Sequence, residues 1–273
     1  MAALFAFWAA CSDRVSTGVR NRDAAEADNH GSQVAGNLRH RMPRGAEFKA
    51  AAVHLFTASG SVCAVFAVLA TIERQPERAF LWLGVALLID GIDGYFARRF
   101  RVKQVLSSVS GEVLDLCVDY VTYVFVPALI LLLGPMPGAL GMTLAAIICV
   151  TSLYHFADTT SKTEDHCFVG FPAIWNIVVF YILALALPQW AIIALVLVCA
   201  GLTFVRWKWV HPMRVTAFRG VTLALTAVWA VAACDVLWRG FPAGWLSGGA
   251  IVLVAIYGVA LSVYFSRRAS ALG

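Results

Sequence analysis

The stretch DGIDGYFARRFRVKQVLSSVSGEVLDLCVD, from Asp90 to Asp119, decides how this chain is read. Two aspartates, Asp90 and Asp93, close one strongly apolar segment, and two more, Asp115 and Asp119, open the next. In a helix, residues three or four apart share a face. Asp90, Asp93 and Ala97 therefore align on one helix, and Gly111, Asp115 and Asp119 on the other. Two antiparallel helices joined by a short loop bring the two pairs of carboxylates face to face.

The surrounding chain is that of a membrane protein. Of its 273 residues, 60% are hydrophobic and only 14% charged, where a soluble domain is nearer a quarter charged. Eight apolar runs approach the length of a membrane span, over residues 50–72, 78–97, 113–133, 138–156, 171–187, 190–205, 220–238 and 243–265. The fifth and sixth, separated by Pro188 and Gln189, form a tight hairpin. The expected fold is an all-α integral membrane protein with about eight transmembrane helices in one bundle, six or seven spans being the alternative. Helices suit lipid because each satisfies its own backbone groups.

Orientation follows from Lys and Arg. With the N-terminus inside, fifteen basic residues from Arg39 onward fall in inner segments and three, Arg74, Arg78 and Arg239, in outer loops. That bias predicts a multi-pass protein with both termini cytosolic. The net charge of +5 is spread over the inner loops, which points to membrane lipid headgroups and away from nucleic acid. Residues 1–45 hold few large apolar side chains after the opening AALFAFWAA, so they are expected to be a disordered cytosolic tail before a membrane domain at 46–273. The seven cysteines show no paired spacing and lie mostly in apolar spans, as small buried apolar side chains would.

Four clustered carboxylates repel one another and take up protons unless positive charge sits among them. One or two divalent cations with oxygen ligands, Mg2+ or Mn2+, are the simplest solution, and such ions keep positions open for substrate phosphates. Acids inside a membrane segment mark function, whereas solvated helix-end acids would not need matched faces on two helices. Gly91, Gly94 and Gly111 lie on or beside the acidic faces. Glycine costs helix stability there but lets a bulky ligand approach the backbone, or lets helices pack closely. Arg98 can grip a phosphate through forked hydrogen bonds, while Arg99, Arg101 and Lys103 read as ordinary inner-loop charges.

Asp90-x2-Asp93-Gly94-x2-Ala97-Arg98-x12-Gly111-x3-Asp115-x3-Asp119 resembles the signature of the CDP-alcohol phosphotransferases. Those membrane enzymes join a CDP-activated lipid to an alcohol and release CMP. The twelve-residue gap after Arg98 is longer than in most members. Together with Gly91, the eight spans, GFPAIWN (170–176) and HPMR (211–214), it resembles the bacterial phosphatidylcholine synthase branch. The resemblance implies that Asp90, Asp93 and Asp115 ligate metal, and that Asp119 is the general base with a share in the metal. It implies that Gly91, Gly94, Ala97, Arg98 and Gly111 bind CDP-diacylglycerol. It further implies a bacterial inner-membrane location, and homodimers occur in the family.

Choline as the acceptor is read from one loop. Its quaternary ammonium donates no hydrogen bond, so aromatic faces and carboxylates are its natural partners. The segment 154–176 holds Tyr154, Phe156, Phe168 and Trp175 beside Asp158, Glu164 and Asp165, with Lys162 as its one lysine. Tyr154, Asp165 and Trp175 are the candidate choline contacts, set against an ordinary interfacial role for the two aromatics. Serine, glycerol phosphate or inositol phosphate is the alternative acceptor, with Arg206, Lys208 and Arg214 available for a phosphorylated alcohol. A cation transporter is the reading from another class. Transporters place such acids near the midplane among internal repeats, and no repeat is visible here.

Overall fold

The computed structural model describes residues 44–158, 168–205, 208–209 and 218–270. The helices are α1 (Arg44–Ile72), α2 (Pro76–Arg99), the short α3 (Val102–Val105), α4 (Gly111–Asp119), α5 (Val126–Leu133), α6 (Ala139–Ala157), α7 (Trp175–Ala184), α8 (Gln189–Thr203), α9 (Arg219–Arg239) and α10 (Trp245–Ser270). A π-helical segment, Tyr120–Phe125, joins α4 to α5. Among the described residues, six stretches are long and apolar enough to cross a membrane: Gly45–Ile72, Pro76–Arg99, Gly111–Leu133, Ala139–Ala157, Arg219–Arg239 and Trp245–Tyr264. The protein is an all-α multi-pass membrane protein, and all eight expected runs are helical over most of their length.

Two of the eight are short. Helix α7 has ten residues, about 15 Å at 1.5 Å per residue, against a hydrocarbon core of about 30 Å. The run expected to start at 171 becomes helical only at Trp175 because Gly170 and Ala173 take positive φ, and Pro172 lies between them. A Cβ on Gly170 would collide with the Thr203 carbonyl, so glycine is required where this segment crosses the end of α8. The Phe171 N–H donates to the Leu202 carbonyl at 3.0 Å, which satisfies backbone that no helix serves. A two-residue antiparallel ladder, β1 (Phe168–Val169) with β2 (Lys208–Trp209), pairs Phe168 with Trp209. It is too short to alter the helical class.

Helix α1 begins at Arg44, just inside the stretch assigned to the tail; the tail before it lies outside the described residues. Tyr120, just after α4, meets Phe156 of α6 edge to face, and the Phe171 N–H ahead of α7 reaches the end of α8. The end of α6, the end of α8 and the start of α7 therefore lie at the same end of the bundle as the α2–α4 connection. At the other end Glu77 accepts the Phe241 N–H at 3.0 Å, and Phe80, Phe180 and Phe241 meet edge to face. Asp235, to which the sequence assigns no role, accepts from Arg239 at 2.6 Å and from Ser247, tying α9 to α10. The core runs through Val124, Leu131, Ile148, Trp175 and Ile192. Large apolar side chains such as Trp238 and Val231 face outward, as lipid contact permits. Cys63 and Cys199 are buried as expected, but Cys117 and Cys234 are exposed on the outer surface.

Candidate active site

Helix α2 carries Asp90 and Asp93 into the bundle in its last turns, and α4 carries Asp115 and Asp119 away from the same end. The four side chains are 5%, 1%, 2% and 4% exposed, respectively. Solvated helix-end acids are thereby excluded. One carboxylate oxygen from each of Asp90, Asp115 and Asp119 lies within 4.8 Å of the others, close enough for one ion to touch all three. Asp93 belongs to the same wall of α2 but is engaged differently: the Thr57 hydroxyl of α1 donates to its Oδ2 at 2.5 Å.

Local sequence explains the placement. Ser110 caps α4, its Oγ accepting the Val113 N–H at 3.3 Å, so the helix starts abruptly at Gly111 and Asp115 falls one turn in. Beyond Asp119 the helix does not stay α-helical. Pro127 has no N–H, and its ring crowds the carbonyl four residues back, which is that of Tyr123. The chain responds with a wider turn over Tyr120–Phe125, in which the Val126 N–H donates to the Val121 carbonyl. Insertions of this type recur at functional sites. From this segment the Tyr123 hydroxyl donates to Asp90 Oδ2 at 3.2 Å. The run at 113–133, expected as one regular helix, is therefore rewound beside its last aspartate.

A cavity of about 640 Å³ opens next to the aspartates, within the usual size of a small-molecule site. Asp93, Ala97, Arg98 and Gly111 line it, with His54 and Thr57 of α1 and with Gln104 and Ser107 of the α2–α4 connection. Arg101 and Lys103, read from the sequence as ordinary loop charges, line it too; Lys103 pairs with Glu112 at 3.2 Å. The long gap after Arg98 is thus a short helix that walls the cavity. Its Val102 packs with Ala50 and Val53 of α1. Gly94 is buried beside Asp93, and Gly91 is half-buried. A Cβ on Gly111 would sit 3.0 Å from the His54 ring, so this glycine serves close helix packing as well as access.

His54, Thr57 and Tyr123 are absent from the sequence reading. A signal existed: His54 and Thr57 lie three apart near the start of a mostly apolar span, and Tyr123 lies four beyond Asp119. Of the candidate choline contacts, Tyr154 and Trp175 fall among the described residues. Tyr154 is 67% exposed, its ring 6.3 Å from that of Phe204. Trp175 is wholly buried, its indole N–H donating to Ser152 Oγ at 2.7 Å and its ring edge-on to Phe171. A ring so enclosed offers no face to a cation. Asp165, Glu164 and Lys162 lie outside the described residues.

The donor set fits a hard cation. It is made of carboxylate oxygens, which favour Mg2+ or Mn2+ over softer metals. Asp90 Oδ1 is buried and has no hydrogen-bond partner. An ionised carboxylate oxygen left that way costs several kcal/mol, on the order of 1–3 or more, and a metal ion would satisfy it.

A family model described as CDP-alcohol phosphatidyltransferase matches residues 52–207, more than half of the chain and all four aspartates. The chain belongs to that family. Among its relatives, the phosphatidylcholine synthase of Pseudomonas aeruginosa is 45% identical over 184 residues, 67% of this chain and 77% of the relative. That of Mesorhizobium japonicum is 43% identical over 204 residues, 72% of this chain and 76% of the relative. That of Bradyrhizobium diazoefficiens is 43% identical over 218 residues, 78% and 79% of the two chains. This chain is an enzyme of phosphatidyl transfer, and the cation-transporter alternative falls.

Proposed function

We propose that this protein is a phosphatidylcholine synthase, transferring the phosphatidyl group of CDP-diacylglycerol to choline with release of CMP. The observation that carries the reading is the buried group Asp90, Asp115 and Asp119 beside a cavity lined by Asp93, Ala97, Arg98 and Gly111. Likeness to relatives of that name supports the choice of acceptor.

Asp90, Asp115 and Asp119 would hold a divalent cation, Mn2+ or Mg2+, with Asp93 contributing from the cavity side. The bound ion would neutralise charge on the pyrophosphate and on the departing CMP. Arg98 and the start of α4 at Gly111 face the phosphates, where a guanidinium and a helix N-terminus both favour anions. Gly91 and Gly94 keep the adjacent wall of α2 thin. The choline hydroxyl oxygen forms a bond to the phosphorus that bears diacylglycerol. The bridging P–O bond breaks, its electron pair leaves with CMP, and the hydroxyl proton passes to the Asp119 carboxylate.

For the choline ammonium, the exposed pair Tyr154 and Phe204 takes the place of the Tyr154–Trp175 pair, with Asp158 at the end of α6 as an acid four residues after Tyr154. The cavity end of the bundle faces the cytosol of a bacterial inner membrane in this reading, which the fifteen-to-three distribution of Lys and Arg supports. Purified protein given CDP-diacylglycerol, a divalent cation and one alcohol at a time tests the proposal. CMP release with choline is expected; release only with serine, glycerol phosphate or inositol phosphate refutes the acceptor.

A further inference from the structure

We propose that Thr57 and Tyr123 are positioning residues whose hydroxyls turn the Asp93 and Asp90 carboxylates toward a divalent cation. The inference rests on the reading of the aspartates as a metal site and goes beyond it by assigning the groups that hold them in place.

The two contacts have one pattern. Thr57 donates to Asp93 Oδ2 at 2.5 Å, and Tyr123 donates to Asp90 Oδ2 at 3.2 Å. In both cases a buried hydroxyl from a different segment of chain occupies one oxygen of an aspartate on α2. On Asp90 the other oxygen, Oδ1, is buried without a hydrogen-bond partner. The terminal torsion of an aspartate is broad, so nothing in the residue itself decides which oxygen faces the site. A donor fixed to one oxygen decides it. For Thr57 the hydroxyl also lies 3.2 Å from the Val53 carbonyl, but it has one proton. A 2.5 Å separation is that of a charge-assisted O–H···O⁻ bond, so the proton goes to Asp93.

The two donors come from features outside the aspartate motif. Tyr123 sits in the rewound segment Tyr120–Phe125, ahead of Pro127. Thr57 sits on α1, one turn from His54 and facing the cavity. They also act on different parts of the site. Tyr123 steadies a member of the three-carboxylate group, and Thr57 steadies the aspartate that borders the cavity. Partners of this kind hold ligands in the bound orientation beforehand, and their loss typically costs about 10- to 100-fold in metal affinity or activity.

The test uses the full chain in detergent or lipid discs, with Mn2+ as the probe. Free Mn2+ is followed by electron paramagnetic resonance during titration, with neither CDP-lipid nor alcohol present. Thr57→Val and Tyr123→Phe remove the donors at nearly constant volume, and Thr57→Ser restores one. Thr71→Val is the control: it removes a buried hydroxyl of the same helix that donates to the Ala67 carbonyl at 2.7 Å. The expected result is Mn2+ binding weakened by about tenfold or more in Thr57→Val and Tyr123→Phe. Thr57→Ser and Thr71→Val should match wild type. Binding within twofold of wild type in both donor variants overturns the proposal, as does equal weakening in Thr71→Val, no rescue by serine, or no Mn2+ binding by wild type. If Thr57→Val does not fold, Thr57→Ala and Tyr123→Phe carry the same comparison. Wild-type protein that binds Mn2+ but makes no lipid from choline refutes the acceptor reading and leaves this inference standing.

Discussion

A Cβ placed on Gly60 of α1 would lie 2.7 Å from Cγ1 of Val118 on α4, well inside the 3.5–4.0 Å at which carbon atoms rest. The bare backbone at Gly60 lets α1 lie against α4. Thr57, one turn earlier on α1, then reaches Asp93, and His54 reaches Gly111. Small residues at such crossings are the usual means of close helix packing in lipid.

Gly60→Val should therefore lower thermal stability by about 1–3 kcal/mol, the usual cost of overpacking, and weaken metal dependence with it. Gly84→Ala is the matched contrast, because a Cβ there meets nothing within 4 Å. It should leave stability unchanged or raise it by up to about 1 kcal/mol through helix propensity. Unfolding midpoints of the two purified variants decide the matter; an unaltered midpoint in Gly60→Val would show that the helices can part freely.

CMP release should require a divalent cation. Four carboxylates no more than 5% exposed cannot all carry charge without one. Wild-type protein in excess EDTA should lose turnover and regain it on addition of Mn2+ or Mg2+. Full turnover in EDTA would remove the metal from the mechanism.

Asp119→Asn should keep CDP-diacylglycerol binding and lose about 10²- to 10⁴-fold in turnover, the range for a general base, since the amide keeps the shape but accepts no proton. Asp93→Asn should act at the cavity instead, raising the requirement for CDP-lipid or metal. Separate titrations of the two variants distinguish these effects. Turnover of Asp119→Asn within a few-fold of wild type would remove the base assignment.

The aspartates were legible because chemistry and helical period coincide in one short stretch: carboxylates three and four apart, flanked by glycine, in an apolar setting. The class of fold was legible because lipid allows few solutions to backbone hydrogen bonding. Thr57 and Tyr123 were not, since each meets an aspartate more than thirty residues away, and their partners exist only once helices pack. Tyr123 depended further on a π-turn that departs from the α-helical period, for which Pro127 was the one sign. The setting of Trp175 was illegible for a related reason: the extended segment before α7 turns its indole inward onto Ser152.

That inward turn sets the last prediction, which separates two roles that the sequence had merged. Trp175→Ala should fail broadly, since emptying a wholly buried indole site costs about 3–5 kcal/mol and leaves Ser152 without its donor. Folded yield and both substrate requirements should suffer together. Tyr154→Ala removes a side chain that is 67% exposed, so folding should be untouched. If its ring contacts the choline ammonium, a cation–π contact of about 0.5–2 kcal/mol is lost, and the choline requirement should rise about two- to thirty-fold. The CDP-diacylglycerol requirement should stay the same, and Phe204→Ala should behave as Tyr154→Ala does. Choline and CDP-diacylglycerol titrated separately against each variant give the answer. Normal choline use by both exposed-ring variants would place the ammonium elsewhere, and a Trp175→Ala protein that folds normally yet loses only choline would return the cage to the indole.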